Sequence, residues 1–211
     1  MRLPPLNALR AFEAAGVAAL FISDQVFPNR CGYLPGKQIV PVEQILAKLK
    51  AALDARTDPD LMIVARTDAA SVEGADQAIA RCQLFMEAGA DMAKPMGFDT
   101  IPDIKRALRE IPGPHMATLS QAAGPKARSL PDLEAAGVAA ATFPSVALFA
   151  AANAVRNVVR TLKTENSLAP CQPQLIPLED YYDLVGLKSL LTREESYDKA
   201  AAALVQKRAA E

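Results

Sequence analysis

Two loop-forming segments of this 211-residue chain hold side chains that could act on a small anion. Cys31 carries a thiol, whose pKa responds readily to nearby positive charge, and Arg30 precedes it directly. Arg66 carries a planar, permanently charged fork of N–H donors, which suits a carboxylate. Asp24 offers carboxylate oxygens, the ligands that Mg²⁺ prefers. These residue types are compatible with a site for a small carboxylate.

Each of these residues also has a structural interpretation, and the sequence leaves it open. Cys31 could be an inert small residue in its loop. Arg66 could form an internal ion pair with Asp68 or Asp24 that only shapes the rim of the fold. Asp24 could cap a helix or join a salt bridge, as carboxylates after strands commonly do.

Four other candidate residues receive structural roles from their positions. His115 begins an apolar run after Gly-Pro and is interpreted as structural. Cys82 falls on the apolar stripe of a predicted helix, which indicates a core position. Cys171 lies in a linker and is interpreted as incidental. Lys94 sits at a predicted strand end and is therefore a possible site residue, although the interpretation as a solvated lysine at the rim is favoured.

Five short apolar runs predict the strands that would position these loops. They lack polar alternation, as expected for strands buried on both faces of a parallel sheet. The runs are Val17–Ile22, Leu61–Ala65, Ala90–Ala93, His115–Leu119 and Val138–Phe143. Segments of helical period separate them, at Pro41–Ala55, Ser71–Ala88, from Thr100 onward, and Ser145–Lys163.

Strands that alternate with helices predict βαβ units, with neighbouring parallel strands in chain order. A TIM-type (β/α) barrel has eight strands. The predicted fold class is therefore an α/β, TIM-type barrel that is incomplete, with five of the eight strands. Because functional groups in such folds follow the carboxyl ends of strands, we expect Cys31, Arg66 and Asp24 to converge on one cleft.

The character of the chain changes after the last of these helices. We predict a partial barrel over residues 1–163 and a linker with C-terminal helices over residues 164–211. The linker is Thr164–Pro177, and the helices cover Leu178–Leu191 and residues from Arg193 to the end, with a capping-box signal at Thr192. Since no further strand follows, these helices are expected to pack on a partner subunit, which predicts a homo-oligomer.

Composition excludes several function classes. The chain has 23 Lys+Arg against 24 Asp+Glu and 5% aromatic residues, which argues against nucleic-acid binding. Three cysteines without a CxxC pair argue against a disulfide framework. The longest apolar run, Ala14–Ile22, is too short to span a membrane, and the start lacks signal-peptide features. A cytoplasmic protein is predicted.

Four motifs give the chain a specific family resemblance. They are SDQ (Ser23–Gln25), NRCGY (Asn29–Tyr33), ARTDA (Ala65–Ala69) and VEGADQAIARCQLFMEAGAD (Val72–Asp91). In order and spacing they resemble the IEDQ, K(K/R)CGH and ARTDA signature of the isocitrate lyase/phosphoenolpyruvate mutase superfamily. The resemblance covers roughly residues 8 to 165 and is strongest toward the 2-methylisocitrate lyase and oxaloacetate decarboxylase branches.

The resemblance implies a C–C bond lyase or decarboxylase that acts on a small 2-hydroxy or 2-oxo di- or tricarboxylate. It implies that Cys31 donates a proton to the carbanion or enolate. It implies that Arg66 clamps a substrate carboxylate, to which the amides of Gly32 and Tyr33 also donate. It further implies a Mg²⁺ cofactor, with Asp24 as an outer ligand.

The chain departs from the family pattern at several positions. The departures are Ser23 and Met96 for glutamates, Asn29 for a basic residue, Tyr33 for a histidine and Thr118 for an asparagine. The family's three strands before Val17, with their metal-binding aspartates, have no counterpart in this sequence. We therefore expect reduced activity. The alternative is a catalytically impaired homologue or fragment that keeps a carboxylate pocket or an oligomerisation role.

Overall fold

The computed structural model describes residues 4–120 and 128–209, in which strands and helices alternate. The strands are β1 (Ala19–Ser23), β2 (Met62–Thr67), β3 (Met92–Pro95), β4 (Met116–Thr118) and β5 (Ala140–Thr142). The helices are α1 (Pro4–Ala14), α2 (Val42–Ala55), α3 (Ala75–Glu87), α4 (Ile101–Glu110), α5 (Leu130–Ala136), α6 (Val146–Glu165), α7 (Leu178–Leu184) and α8 (Leu187–Ala209). Short 3₁₀ turns lie at Ala69–Ser71 and Ala169–Gln174.

The strands pair in parallel and in chain order, as predicted. β1, β2 and β3 form one sheet, and β4 and β5 form a second. One parallel bridge, between Ala93 and His115, links the two. Pro95 ends β3 and Pro114 precedes β4, and neither has an amide hydrogen that could extend the ladder. The sheet is therefore interrupted where the sequence predicted one continuous sheet.

The core lies between the first sheet and the helices packed on it. Ile45 and Leu49 of α2, Ile63 of β2 and Phe85 of α3 are fully buried. Each such side chain contributes about 1.5–3 kcal/mol by leaving water. Cys82 of α3 is also fully buried, as its place on an apolar stripe predicted. This packing fixes the sheet whose strand ends support the polar loops.

The helices predicted between the strands are present, and the structure adds α1 and α5. Thr100 caps α4, and its hydroxyl accepts a hydrogen bond from the Asp103 amide at 3.3 Å. The sequence prediction did not include α5. Its start is marked by a capping box between Ser129 and Asp132, and its end by Gly137 in the left-handed region at φ 96°. Ser129, Asp132 and Gly137 are the sequence signals that could have indicated it.

The C-terminal helices differ from the prediction. The predicted helix Leu178–Leu191 is broken, because Gly186 adopts a φ of 67° between α7 and α8. Thr192 was predicted to cap the last helix but lies inside α8, where its hydroxyl donates to the Lys188 carbonyl at 2.9 Å. A mid-helix threonine can bond the preceding turn in this way, so the capping-box pattern alone does not mark a helix start.

The chain divides into two compact units, Met1–Val146 and Ala147–Glu211. Almost all of α6 belongs to the second unit, and the predicted boundary after residue 163 stays a prediction. In the described chain, none of the residues of α6, α7 and α8 is buried, and Leu148, Leu184 and Leu204 are all largely exposed. Among the described helices, none is both long and apolar enough to cross a membrane.

Candidate functional site

The loop after β1, residues 24–40, is closed at its base. The Val40 amide donates to the Asp24 carbonyl at 2.8 Å, and the Val26 amide donates to the Gln38 carbonyl at 2.9 Å. The loop therefore leaves the sheet and returns to it at nearly the same point. This closure fixes both ends of the segment that carries Cys31.

Gln25 holds the interior of this loop. Its side-chain carbonyl accepts from the Arg30 amide at 2.8 Å, and its side-chain amide donates to the Arg30 carbonyl at 3.1 Å. Gln25 is buried, whereas the thiol-bearing Cys31 is exposed and unpaired. The sequence prediction gave Gln25 no role, although it closes the SDQ motif. It positions the backbone immediately before the thiol.

Gly32 brings this loop against the end of β2. A Cβ at this position would lie 2.9 Å from the Met96 terminal methyl, 3.2 Å from Arg66 Nη2 and 3.4 Å from Asp68 Oδ1. Lys37 donates to the Gly32 carbonyl at 2.5 Å. The close approach explains why a residue without a side chain fits here, and it brings the Cys31 loop beside Arg66 of the ARTDA motif.

Arg66 ends β2 and forms a two-pronged ion pair with Asp68. Its Nε donates to Asp68 Oδ2 at 2.8 Å, and its Nη2 donates to Asp68 Oδ1 at 3.1 Å. The Asp68 side chain is fully buried, while the Arg66 side chain is 21% exposed. The pair occupies one edge of the guanidinium, and the remaining N–H groups are left for a ligand. The internal ion pair, one of the two interpretations left open, is therefore present and is compatible with the other.

Asp24 lies beneath this pair in a buried network. Its Oδ2 accepts from the Thr67 hydroxyl at 2.6 Å, and its Oδ1 accepts from the Asp68 amide at 3.0 Å. Arg81 Nη1 lies 3.7 Å from Oδ2. Burial raises the pKa of Asp24, against the opposing effect of these hydrogen bonds. Asp24 thus supports the backbone of the residue that orients Arg66.

These contacts bear on the expected Mg²⁺ site. Both Asp24 oxygens are bonded to the protein, and the side chain is fully buried. Within residues 4–120 and 128–209, no group of three or more histidine, cysteine, aspartate or glutamate side chains is placed to hold a metal ion. The described residues therefore do not fit a magnesium centre, and the assignment of Asp24 as a metal ligand stays a prediction.

Lys94 is buried, which corrects its interpretation as a solvated rim residue. It is 4% exposed, and its Nζ donates to the Thr142 hydroxyl at 2.9 Å. The same nitrogen lies 5.0 Å from the centre of the Phe21 ring. Parallel pairing places Lys94 level with Arg66 on the next strand. The position of Lys94 along the chain gave no sign of this burial, because the burial depends on which strands flank β3.

Replacing Lys94 with methionine is expected to change how stability depends on pH. Burial, followed by the charge of Arg66, lowers the Lys94 pKa from 10.5 to about 8. Between these values the unfolded chain holds a proton that the folded chain has lost, so wild-type stability should rise with pH through this window relative to Lys94→Met. Urea unfolding of both proteins at about pH 7.5 and about pH 10 measures the effect.

Lys105, which is exposed on α4, provides the matched control. The difference in unfolding free energy between Lys105→Met and wild type should be the same at both pH values. If the difference in unfolding free energy between Lys94→Met and wild type does not change with pH, the lowered pKa of Lys94 is contradicted.

An open cavity of about 490 Å³ collects most of the predicted site residues. Phe21, Cys31, Gly32, Tyr33 and Arg66 line it, as do Arg30, Lys94, Met96, Thr118, Thr142, Phe143 and Pro144. Asp24 does not line it. Three lining side chains are cationic, and among the residues that the structure describes no carboxylate lines it. Such a cavity is electrostatically suited to a small anion.

Fold and site together define a parallel α/β protein with a cavity lined by cationic side chains at the carboxyl ends of its strands. The chain belongs to the phosphoenolpyruvate phosphomutase family, whose family model matches residues 6–163. This confirms the superfamily predicted from the SDQ, NRCGY and ARTDA motifs.

Relatives with named activities support this placement. The chain is 32% identical over 192 residues to 2,3-dimethylmalate lyase of Eubacterium barkeri, covering 91% of this chain and 66% of that protein. It is 38% identical over 161 residues to 2-methylisocitrate lyase of Escherichia coli K12, covering 76% of this chain and 54% of that protein. The chain thus spans about half to two thirds of the length of these relatives.

A solved structure shows the same fold. A phosphonopyruvate hydrolase in complex with oxalate and Mg²⁺ superposes with a TM-score of 0.76 at 26% identity, covering 91% of this chain and 67% of that one. The α/β architecture of parallel strands and helices is therefore that of the family.

Proposed function

We propose that this chain is a C–C bond lyase or decarboxylase acting on a small 2-hydroxy or 2-oxo di- or tricarboxylate. The observation that carries the proposal is the cavity beside Cys31. Among the residues that the structure describes, three cationic side chains and no carboxylate line this cavity. The lyase relatives support the reaction class. The oxalate bound by the phosphonopyruvate hydrolase supports a small carboxylate ligand.

The proposed roles follow from the positions of the lining residues. Arg66 binds a substrate carboxylate through the N–H groups that Asp68 leaves unused. The amides of Gly32 and Tyr33 donate to the same carboxylate. When the C–C bond breaks, its electron pair is delocalised over the carbon and oxygen of an enolate, and the Cys31 thiol donates a proton to that carbon.

We further propose that turnover is lower than in the relatives. A bound Mg²⁺ ion, as seen in the phosphonopyruvate hydrolase, would supply electrophilic stabilisation of several kcal/mol to such an enolate. Met96 and Thr118 line this cavity at positions where the family pattern has a glutamate and an asparagine. The described residues offer no replacement set of ligands, and about 1.4 kcal/mol of lost stabilisation slows a reaction tenfold.

A substrate panel tests the proposal. The protein is assayed with 2-methylisocitrate, isocitrate, oxaloacetate and dimethylmalate, each with and without Mg²⁺, and release of pyruvate, glyoxylate or CO₂ is followed. Slow turnover of at least one substrate is expected, and Cys31→Ser should change it little, because the weakly stabilised bond cleavage precedes the protonation that Cys31 serves. Binding of oxalate without turnover of any substrate would instead favour the alternative, a catalytically impaired homologue that keeps the pocket.

We also propose that the chain forms a homo-oligomer through its C-terminal helices. Leu204 and Val205 of α8 are 70% and 71% exposed, and apolar surface of this extent commonly marks an interface. Light scattering after size exclusion should show more than one chain per particle. A Leu204→Lys/Val205→Lys double variant should shift toward the monomer, and the polar control Lys207→Glu should not.

A monomeric wild-type protein would contradict the oligomer proposal. The predicted cytoplasmic location rests on the sequence alone and stays a prediction.

A further inference from the structure

Lys94 is an amine inside the cavity that the family-derived roles do not use. It lies level with Arg66 in the parallel register, and its Nζ is enclosed between the Phe21 ring and the Thr142 hydroxyl. In the described chain it has no carboxylate within ion-pair distance. Buried lysines are normally paired, since an isolated ammonium is costly to remove from water.

The surroundings favour chemistry that uses the neutral amine. Burial and the neighbouring Arg66 charge both disfavour the ammonium, and the Lys94 pKa falls to about 8. Desolvation together with a nearby cation is one way in which proteins activate lysine as a nucleophile toward carbonyl carbons. A ring at 5.0 Å stabilises a positive nitrogen whether it is an ammonium or an iminium.

We propose that Lys94 forms a Schiff base with the carbonyl carbon of a 2-oxo acid whose carboxylate is bound by Arg66. The substrate class in this inference rests on the proposed function. It narrows that proposal from 2-hydroxy or 2-oxo acids to 2-oxo acids.

The steps balance for a 2-oxo dicarboxylate such as oxaloacetate. The neutral Lys94 amine adds to C2, one proton is taken up from solvent, and loss of one water leaves a protonated imine. The bond between C3 and the distal carboxylate then breaks, CO₂ leaves, and the electron pair moves through C3 and C2 to the nitrogen as an enamine. C3 takes a proton, which Cys31 in the same cavity is placed to donate. Water adds to C2 of the resulting protonated imine and releases pyruvate, the free amine and one proton, which restores the Cys31 thiol.

In this scheme the iminium nitrogen accepts the electron pair that an enolate oxygen would otherwise carry. Lys94 is therefore the electron sink of the reaction, and it comes from the chain itself. Thr142 holds the nitrogen in place, and Arg66 presents the carbonyl carbon by holding the adjacent carboxylate.

Reductive trapping tests the inference on the 211-residue protein. The protein is incubated with pyruvate and sodium cyanoborohydride, which delivers hydride to an imine carbon and makes the bond permanent. The intact mass should increase by that of pyruvic acid less one oxygen atom. Peptide mapping should place the adduct on Lys94, with at least about tenfold more label than on Lys105, because the lowered pKa leaves a larger neutral fraction.

Two variants and one control complete the experiment. Lys94→Arg keeps the positive charge but cannot form an imine. Lys94→Met removes both the charge and the amine. Circular dichroism shows which variants fold, and either folded variant suffices. Both should lose the adduct, while Lys105→Met should keep it.

Each outcome decides the inference, and a parallel assay of oxaloacetate decarboxylation separates it from the proposed function. An adduct on Lys94 supports the inference even without turnover, in which case it is the proposed lyase activity that fails. Turnover without an adduct overturns the inference and leaves the lyase proposal standing. No adduct, or label spread equally over surface lysines, also overturns it.

Discussion

Replacing Arg66 with lysine is expected to lower kcat/KM for the best substrate by about 100-fold or more. If no substrate is turned over, the dissociation constant for oxalate should rise by a similar factor. Lysine keeps the positive charge but loses the planar fork that bonds Asp68 on one edge and, in the proposed role, a substrate carboxylate on the other. Steady-state kinetics, or calorimetric titration with oxalate, measures the effect.

Arg56 offers a closely matched control for this variant. It also forms an arginine–aspartate pair, with Asp91 at 2.6 Å, and its side chain is 20% exposed against 21% for Arg66. Asp91 directly precedes β3, at the opposite end of the strands from Lys94 and the cavity. Arg56→Lys should therefore leave ligand binding and kcat/KM near wild-type values. Equal losses in the two variants would show that the Arg66 effect reflects general damage to the fold.

Replacing Asp24 with alanine is expected to cost about 3 kcal/mol of folding free energy. The change leaves the Thr67 hydroxyl and the Asp68 amide without their buried acceptor and removes a negative charge next to Arg81. Urea unfolding at neutral pH in the absence of divalent metal measures this loss. A folded variant should also bind oxalate more weakly, because Asp24 supports the backbone that orients Asp68 and, through it, Arg66.

Asp24→Asn and Asp91→Ala complete the comparison. Asparagine keeps one acceptor oxygen, so its cost should be smaller than that of alanine. The Asp91 side chain is 28% exposed, so water can replace its carboxylate as a hydrogen-bond acceptor. Its removal should therefore cost less folding free energy than removal of Asp24. If Asp24→Ala is as stable as wild type without metal but loses a Mg²⁺-induced increase in melting temperature, Asp24 is a metal ligand and the network described here is secondary.

The sequence by itself determined the strands, their direction and the loops that carry the candidate site. Apolar runs without polar alternation, separated by amphipathic segments, are local patterns that can be read from the sequence. Short crossovers between them allow essentially one arrangement, so the parallel order β1–β2–β3 followed from the chain. The same rule predicted that Cys31 and Arg66 would meet, and both line one cavity. The resemblance added their proposed roles.

The tertiary structure alone decided which side chains surround these residues. The sequence neighbours of Lys94 are the same whether its side chain is solvated or buried. Its amine is enclosed because β3 pairs in register with Arg66 of β2 and because the Phe21 ring lies against it. Asp24 was a candidate ligand by type, but two hydrogen bonds from residues more than 40 positions away place it in a structural network. Burial and partners are non-local properties, set by packing between segments, and residue type and spacing do not contain them.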